Sequence, residues 1–346
     1  MASANSEPWC LPPSKLEKWY NENVQKGTAS FDATCREAVN DVVRSIQRIC
    51  STDGDMFNVS EIFKGGSLGK GTMVQNLSDV DLVAFINPPY LQHIHTVEAK
   101  RYRKQLRKVI SKMKAALRKE AKFFTHLVKN ISSSTFLVKF TIVVGDRPLK
   151  VDLLPTASIP PGVEGRALFE TMMTRSSEDR ELYSVSFAKS QVDFVKRQPG
   201  CVKELIRLVK NWAYTELPEE LQKSYPLELI TIFKWQRAGK PESFNKTRGL
   251  KDVLRSLQAI KALRTYHMAQ YSCSKQLAKS IFCQQPSKGP IMLDPVNPTN
   301  NVFEIYQRAG NSKKISRAAR KTLGSELLKN VTLASRRRKH WGDPAV

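Results

Sequence analysis

The chain has 346 residues, 41% of them hydrophobic and 25% charged, which is ordinary for a folded protein large enough to form two lobes. Fifty-six Lys and Arg against 32 Asp and Glu give a net charge of +24, a balance typical of proteins that bind polyanions such as nucleic acid. No segment approaches the roughly 18 apolar residues of a membrane span, no apolar signal region is recognised, and the six cysteines form no C-x-x-C pair. These features argue against a membrane-spanning or disulfide-stapled protein. They predict a cytoplasmic one, with nuclear import left open by the basic segment 335–341.

The first part of the chain predicts two amphipathic helices, "SKLEKWYNENV" and "TCREAVNDVVRSIQRIC". In the second, an apolar stripe recurs at helical spacing: Ala38, Val42, Ile46 and Ile49. "NVSEIF" then predicts a short strand that enters the glycine turn "KGGSLGKG". "DVDLVAFI" predicts a buried strand, which "NPP" ends.

The glycine turn does not have the spacing of an ATPase phosphate loop. That motif requires Ser or Thr directly after its lysine and a glycine five positions before its second glycine. Here Gly71 follows Gly69-Lys70, and the position five before Gly69 is Lys64. The turn can still bring backbone N–H groups and the Ser67 hydroxyl against phosphates.

The rest of the chain predicts a mixed sheet followed by helices. Residues 97–129 predict one long basic helix, and the strands "STFLVKFTIVV" and "LKVDLLP" are joined by the turn "GDRP". Further helices are predicted at 164–178, 185–198, 200–216, 226–239 and 247–279. We therefore expect an α+β protein, with a core lobe over residues 1–160 and a helical lobe with a basic tail over 161–346.

Three carboxylates are candidate metal ligands. Asp79 and Asp81 are two apart on a predicted strand and so project from the same face, and Asp152 lies on a later strand that could pair beside it. Neighbouring anions on a buried strand repel unless a cation lies between them, and Mg²⁺ or Mn²⁺ prefers oxygen ligands. A solvated pair at a strand end is the alternative for the D-x-D pair alone.

Five blocks together resemble, in order and spacing, the 2′–5′ oligoadenylate synthetases of the DNA polymerase β-like nucleotidyltransferase superfamily. The blocks are "KGGSLGKGT…SDVDLVAFI", "VDLLPT", "KELIRLVKNW", "YPLELITIFKWQR" and "PIMLDPVNPTNNV", and the resemblance covers about residues 14–305. It implies a bilobal polymerase β-like fold. It further implies an enzyme, activated by double-stranded RNA, that polymerises ATP into 2′–5′-linked oligoadenylates and releases pyrophosphate using two Mg²⁺ or Mn²⁺ ions.

The resemblance also implies roles for particular residues. The catalytic metal ligands would be Asp79, Asp81 and Asp152. The nucleotide contacts would be Gly66, Ser67, Arg207, Lys210, Ser224 and Tyr225. Ser224 stands where vertebrate members usually have Gln, which leaves the selectivity for adenine open.

The RNA contacts implied by the resemblance are Lys18, Lys64, Lys70 and Lys196, with Arg44 and Arg48 as substitutes for a family lysine that is Gln47 here. A family arginine is Val192 in this chain. Because double-stranded RNA is recognised mainly by shape, scattered cations on a firm surface suffice. The basic helix at 97–129 is either part of such a surface or simply solvated.

Two rival functions remain at this stage. One is an RNA-sensing synthase of cyclic dinucleotides, which would use the same carboxylates, and the other is a non-catalytic RNA-binding protein. No structural zinc is expected, because His267, Cys273 and Cys283 lack the adjacent cysteine pair of related cyclic GMP-AMP synthases. The product length and the oligomeric state are not predicted.

Overall fold

The computed structural model describes residues 7–52, 58–74, 80–145, 147–163, 165–267, 275–285 and 288–333. Three features singled out in the sequence lie outside these ranges: the carboxylate Asp79, the thiol Cys273 and the basic segment 335–341. Asp81 and Asp152 both lie inside them.

The described residues form a mixed five-stranded sheet in the order β1-β2-β5-β4-β3. The strands are β1 Val59–Lys64, β2 Val80–Ile86, β3 Val128–Ser133, β4 Val138–Val144 and β5 Arg147–Thr156. β2 and β5 are parallel, and the other neighbouring strands are antiparallel. Val80 and Leu82 on β2 and Val151 and Leu153 on β5 are fully buried. Since side chains alternate along a strand, the residues between them project from the opposite, open face.

Two long helices cover the buried face of this sheet. Helix α1 (Leu16–Tyr20) continues through a π-helical turn at Asn21–Gln25 into α2 (Lys26–Thr52), so the two predicted N-terminal helices form one helical run. Helix α4 (Ala99–Glu120) lies beside α2 and turns its apolar stripe inward. Within the described part of the chain, no helix is both long enough and apolar enough to cross a membrane.

The prediction of a single helix over 97–129 is wrong at its C-terminal end. The helix stops at Glu120, and residues 128–133 form β3, the edge strand that pairs antiparallel with β4. Val128 is buried opposite Ile142, and the Arg118 guanidinium donates to the Ile131 carbonyl. The strand is stabilised by backbone hydrogen bonds to a partner strand, which the local charge pattern does not reveal.

The second half is mainly helical. Its helices are α5 Arg166–Met173, α6 Ser177–Glu181, α7 Ala188–Lys196, α8 Gly200–Glu216, α9 Ser224–Arg237, α10 Lys246–Gln258, α11 Lys275–Gln284, α12 Glu304–Gln307 and α13 Asn311–Leu323. The predicted helix 247–279 is wrong for residues 259–267, where the chain forms β6 (Arg264–Tyr266), which pairs in parallel with β7 (Ile291–Leu293). Residues 275–279 do belong to helix α11, and residues 268–274 lie outside the described ranges.

Two large hydrophobic clusters fill the molecule. The first lies between the sheet, α2 and α4, and also takes Leu168 and Met172 from α5. The second lies among α8, α9, α10 and α13, and includes Leu16 and Tyr20 from α1. Each cluster thus contains residues from both sides of residue 160. The division into lobes at that residue stays a prediction.

Candidate active site

Two of the predicted catalytic carboxylates lie side by side on the open face of the sheet. Asp81 on β2 and Asp152 on β5 are direct partners in the parallel register. Residues paired in this way point to the same face, so the two carboxylates project together. Both residues are partly exposed, whereas the apolar residues next to each in sequence are buried. The expected pairing of the two strands is therefore confirmed, and the role of Asp79 stays a prediction.

The glycine turn lies directly over Asp81. The Gly65 N–H donates to the Asp81 carbonyl at 2.7 Å, and a short helix, α3 (Gly66–Lys70), follows. Gly66 has a φ of +56°, and a Cβ there would lie 2.7 Å from Asp81 Oδ2, so only glycine allows this approach. The Ser67 hydroxyl is buried and has no hydrogen-bond partner among the described residues.

The donor set at this position fits a hard divalent cation. Asp81 and Asp152 supply carboxylate oxygens, the ligands that Mg²⁺ and Mn²⁺ prefer. Gly66 keeps clear the space in front of Asp81 that a side chain would fill. In the described ranges no group of three or more His, Cys, Asp or Glu is arranged to hold a metal, and Asp79 is not within those ranges. Asp81 and Asp152 are thus the described residues that would hold such a cation, and Asp79 as a third ligand stays a prediction.

Residues 68–72, which we call the clamped segment, are held by cations through their backbone carbonyls. The cations come from α2 and from α8. The hydrogen bonds are Arg36 Nη2 to Leu68 O at 2.7 Å, Arg207 Nη2 to Gly71 O at 3.0 Å and Lys210 Nζ to Thr72 O at 3.0 Å. The segment that follows Ser67 is thus fixed from two sides by charge-assisted hydrogen bonds.

A buried carboxylate, Glu228, joins the clamped segment to α9. It has no exposed surface, and it accepts hydrogen bonds from Lys70 Nζ and Thr72 Oγ1, both at 2.8 Å. The Lys210 ammonium lies 3.9 Å away, and the Lys70 ammonium also lies 4.5 Å from the centre of the Tyr225 ring. The prediction that Lys70 faces RNA is therefore corrected. Only 8% of Lys70 is exposed, because Glu228 draws its ammonium inward.

Burial and neighbouring charges shift the pKa values of Lys210 and Glu228. Burial lowers the pKa of Lys210 to about 8, although the nearby Glu228 carboxylate acts in the opposite direction. Burial alone would raise the pKa of Glu228, but Lys70 and Lys210 outweigh it and the pKa is lowered. Lys210 therefore carries a charge that is easily lost just above neutral pH.

A cavity of about 270 Å³ opens beside the glycine turn. Its walls include Gly65, Gly66, Lys70, Asp81, Gln191 from α7 and Tyr225 from α9. Gln191 Nε2 and Tyr225 Oη both donate to the buried carboxylate of Asp294, at 2.6 and 3.1 Å. The structure therefore brings the predicted Tyr225 to the same cavity as the glycine turn and Asp81. Ser224, the first residue of α9, is partly exposed next to Tyr225.

A family model described as 2'-5'-oligoadenylate synthetase 1, domain 2, C-terminus matches residues 166–341, and one described as nucleotidyltransferase domain matches residues 43–172. The chain belongs to the 2′–5′-oligoadenylate synthetase family. It is thus a nucleotidyltransferase, as the resemblance of the five sequence blocks implied.

Two relatives in this synthetase family match over most of their length. The 2'-5'-oligoadenylate synthase 1A of Mus musculus is 28% identical over 305 residues, which cover 84% of this chain and 83% of the relative. The inactive 2'-5'-oligoadenylate synthase 1B of Rattus norvegicus is 27% identical over 304 residues, covering 84% and 80%. Because a relative named inactive is as similar as one that is not, overall identity does not separate catalytic from non-catalytic members.

Solved structures confirm the predicted fold class of this synthetase family member. The CdnC protein of E. coli MS115-1, solved with ATP, has a TM-score of 0.60 at 21% identity and covers 90% of this chain and 89% of its own. The Cid1 poly(U) polymerase has a TM-score of 0.51 at 12% identity, covering 88% and 91%. At these identities the likeness establishes the polymerase β-like fold alone.

None of the remaining RNA-contact candidates is among the residues that line the cavity. Lys18, Arg44, Arg48 and Lys196 are exposed, and Lys64 is half-buried with its ammonium bonded to the Asn40 side chain. Arg44 pairs with Asp41, and Lys18 lies 4.0 Å from Glu22. Val192, at the position of a family arginine, is buried. These positions are compatible with an RNA-binding surface, which stays a prediction.

The residues of the site that carried no predicted role include Glu228, Arg36, Gln191 and Asp294. Glu228 had a usable signal, because it is an acidic residue inside the apolar run "YPLELITIF", where an unpaired charge would be costly. Asp294 lies in a block that carried the family resemblance, but the block itself gives no contact. Arg36 has no distinguishing signal on α2, because its partner is a backbone carbonyl.

Proposed function

We propose that this family member transfers the adenylyl group of ATP to the 2′-hydroxyl of an acceptor adenosine, and repeats the reaction to build 2′–5′-linked oligoadenylates. The observation that carries the proposal is the approach of Gly66 to Asp81 beside Asp152, which leaves space for phosphate against a carboxylate pair. Family membership supports the same reaction. ATP as the substrate is supported further by the fold neighbour solved with ATP.

In the proposed reaction the acceptor 2′-oxygen attacks the α-phosphorus of ATP. The bond from that phosphorus to the bridging oxygen breaks, and pyrophosphate leaves with the electron pair. Asp79, Asp81 and Asp152 would hold a divalent cation, which would supply charge neutralisation at the phosphates and a lower pKa for the attacking hydroxyl. Asp152 accepts the hydroxyl proton, and the unpartnered hydroxyl of Ser67 donates to a phosphate oxygen.

Arg207 and Lys210 are assigned a supporting role in this reaction. Both donate to carbonyls of the clamped segment, so they fix the backbone that follows Ser67. Their charges also lie behind the glycine turn, where they favour the triphosphate electrostatically. The family role of Lys210 in gripping phosphate is thus proposed to act through the segment that it holds.

We further propose that double-stranded RNA activates the enzyme by contacting Lys64 and Lys196, which lie on two elements next to the glycine turn. Lys64 ends β1 directly before Gly65, and Lys196 ends α7, which packs on α3. A phosphate backbone that contacts both lysines would therefore act on one catalytic segment. Activation requires RNA to bind the active arrangement more tightly than the inactive one. Lys18, Arg44 and Arg48 would extend this surface.

The product experiment tests the proposed reaction. The protein is incubated with ATP, GTP and Mg²⁺, with and without long double-stranded RNA, and the products are resolved and digested with linkage-specific nucleases. The expected result is that linear 2′–5′ oligoadenylates and pyrophosphate form slowly without RNA and at least about tenfold faster with it. A cyclic dinucleotide would replace the proposal by the rival cyclic synthase, and RNA binding without any turnover would favour the non-catalytic reading.

The double variant Lys64→Glu with Lys196→Glu tests the RNA surface. We expect RNA-stimulated turnover to fall at least about tenfold, since two phosphate contacts are lost and reversed in sign, while RNA-independent turnover is kept. Lys279→Glu with Lys313→Glu changes the charge equally at exposed positions on α11 and α13 and is the control. Equal loss of stimulated and basal turnover would mean that Lys64 and Lys196 serve the fold or the active site.

A further inference from the structure

Gln191 and Tyr225 form one unit with a carboxylate that lies outside the cavity. Both residues line the cavity beside Asp81, and both bond to Asp294, Gln191 through Nε2 to Oδ2 and Tyr225 through its hydroxyl to Oδ1. They come from different helices, α7 and α9. Asp294, in the turn after β7, therefore links the two cavity-lining side chains through hydrogen bonds.

Asp294 is itself rigidly placed. It has no exposed surface, and its Oδ1 also accepts the backbone N–H groups of Val296 at 2.8 Å and Asn297 at 3.3 Å. These bonds belong to the proline-punctuated turn "DPVNP", so the carboxylate is held by backbone rather than by a mobile side chain. A carboxylate in this position accepts hydrogen bonds from both neighbours and fixes their orientation.

The consequence for Gln191 is a defined amide orientation. Because Nε2 is committed to Asp294, Oε1 is the end that remains available, and within the described residues it has no hydrogen-bond partner. The side chain is half-buried on the cavity wall. The cavity thus contains a carbonyl acceptor that cannot exchange places with its own N–H₂ group while Asp294 is present.

We propose that Gln191 Oε1 reads the base of the nucleotide, and that Asp294 is the positioning residue which makes it select adenine. Adenine offers the N6 amino group as a donor, whereas guanine presents the O6 acceptor at the same place. A fixed acceptor bonds the first and repels the second. Gln191 would thus fill the role left open by Ser224. This inference rests on the proposed function, because it requires the cavity to take the base of a nucleoside triphosphate.

The test measures equilibrium binding of the α,β-methylene analogues of ATP and GTP by calorimetry with Mg²⁺ present. The wild-type protein should bind the ATP analogue at least about tenfold more tightly. Gln191→Leu, which keeps the volume and removes the acceptor, should weaken ATP binding about tenfold and leave GTP binding nearly unchanged. Gln198→Leu is the matched control, because Gln198 follows the same helix, donates to the Phe194 carbonyl and lies outside the nucleotide cavity.

Asp294→Asn separates positioning from structural support. The new amide can donate to Gln191 Oε1, which frees Nε2 to face the cavity and to bond guanine O6. We expect the ATP-to-GTP ratio to fall or invert. In the double variant, the Gln191→Leu change should remove the gain in GTP binding and bring the ratio to that of Gln191→Leu alone. A residue with only a structural role would weaken both analogues equally.

The outcomes distinguish this inference from the function on which it rests. If Gln191→Leu keeps the wild-type ratio while the wild-type enzyme makes oligoadenylate, the inference alone is wrong. If the wild-type protein binds neither analogue, both are overturned. Lost affinity for both nucleotides together with a lowered melting temperature in Asp294→Asn, but an unchanged ratio, would assign Asp294 to the fold.

Discussion

Helices α4 and α8 use positive charge in opposite ways. Helix α4 carries ten Lys and Arg against one Glu, and most of them face solvent. Helix α8 carries three, and two of these, Arg207 and Lys210, donate to carbonyls of the clamped segment. The density of charge therefore does not locate the functional cations in this molecule. The functional cations are instead recognised by their hydrogen-bond partners, because a buried cation must have one.

The largest effect on turnover is expected when a carboxylate of the active site is removed. Asp81→Asn removes one carboxylate of the pair and should lower turnover about 10³-fold or more, because several kcal/mol of transition-state stabilisation depend on it. Single-turnover product formation measures the loss. Duplex RNA affinity and the circular dichroism spectrum should be unchanged. Retained turnover would remove Asp81 from the catalytic site.

Glu228→Gln tests whether the buried charges depend on one another. The substitution leaves Lys70 and Lys210 without their carboxylate, which should lower the free energy of unfolding by about 3 kcal/mol in urea titrations. Glu220→Gln is the matched control, since Glu220 pairs with Lys314 at the surface, and it should unfold as the wild type does. Equal stability of the two variants would show that the buried cluster is no more stabilising than a solvated pair.

Gly66→Ala tests the close approach of the turn to Asp81. The new Cβ would lie 2.7 Å from Oδ2, so the turn must move, and turnover should fall about 10- to 100-fold. Gly145→Ala is the control, because Gly145 has a similar φ of +60° but nothing within 4 Å of an added Cβ. The control should lose about 1 kcal/mol of stability and no turnover. Similar turnover in both variants would refute the proposed phosphate space.

The pKa of Lys210 predicts opposite pH trends for stability and activity. The folded chain releases this proton near pH 8 and the unfolded chain near 10.5, so the unfolded state binds more protons between these values. The free energy of unfolding should therefore rise with pH across that window, by up to about 1.4 kcal/mol per pH unit. Turnover should fall above pH 8, because the charge behind the glycine turn is lost. Lys210→Met should flatten both trends.

The smallest effect is expected on α4. Lys104→Ala with Lys108→Ala removes two exposed cations that have no ion-pair partner among the described residues. Melting temperature and RNA-stimulated turnover should stay at wild-type values. The slope of log RNA affinity against log salt concentration could instead fall by about two. In that case α4 belongs to the RNA surface, and its exposed cations have a functional role as those of α8 do.

The strands and helices with strong local patterns could be predicted, whereas elements stabilised by distant partners could not. β2 and β5 were recognisable from alternating apolar residues around Asp81 and Asp152. β3 and β6 were missed, because three to six residues become a strand only when a partner strand completes their hydrogen bonds. Lys70 follows the same rule. Its burial depends on Glu228, which is 158 residues later in the chain.

The clamped segment has a consequence for how the two halves of the protein hold together. Arg36 on α2 and Arg207 on α8 both donate hydrogen bonds to backbone carbonyls of this five-residue segment. The two helices are therefore connected through the segment as well as through apolar packing. A ligand that orders the segment adds its binding free energy to that junction. If a nucleotide in the cavity lined by Lys70 orders this segment, the substrate would also strengthen the connection between the sheet and the helices.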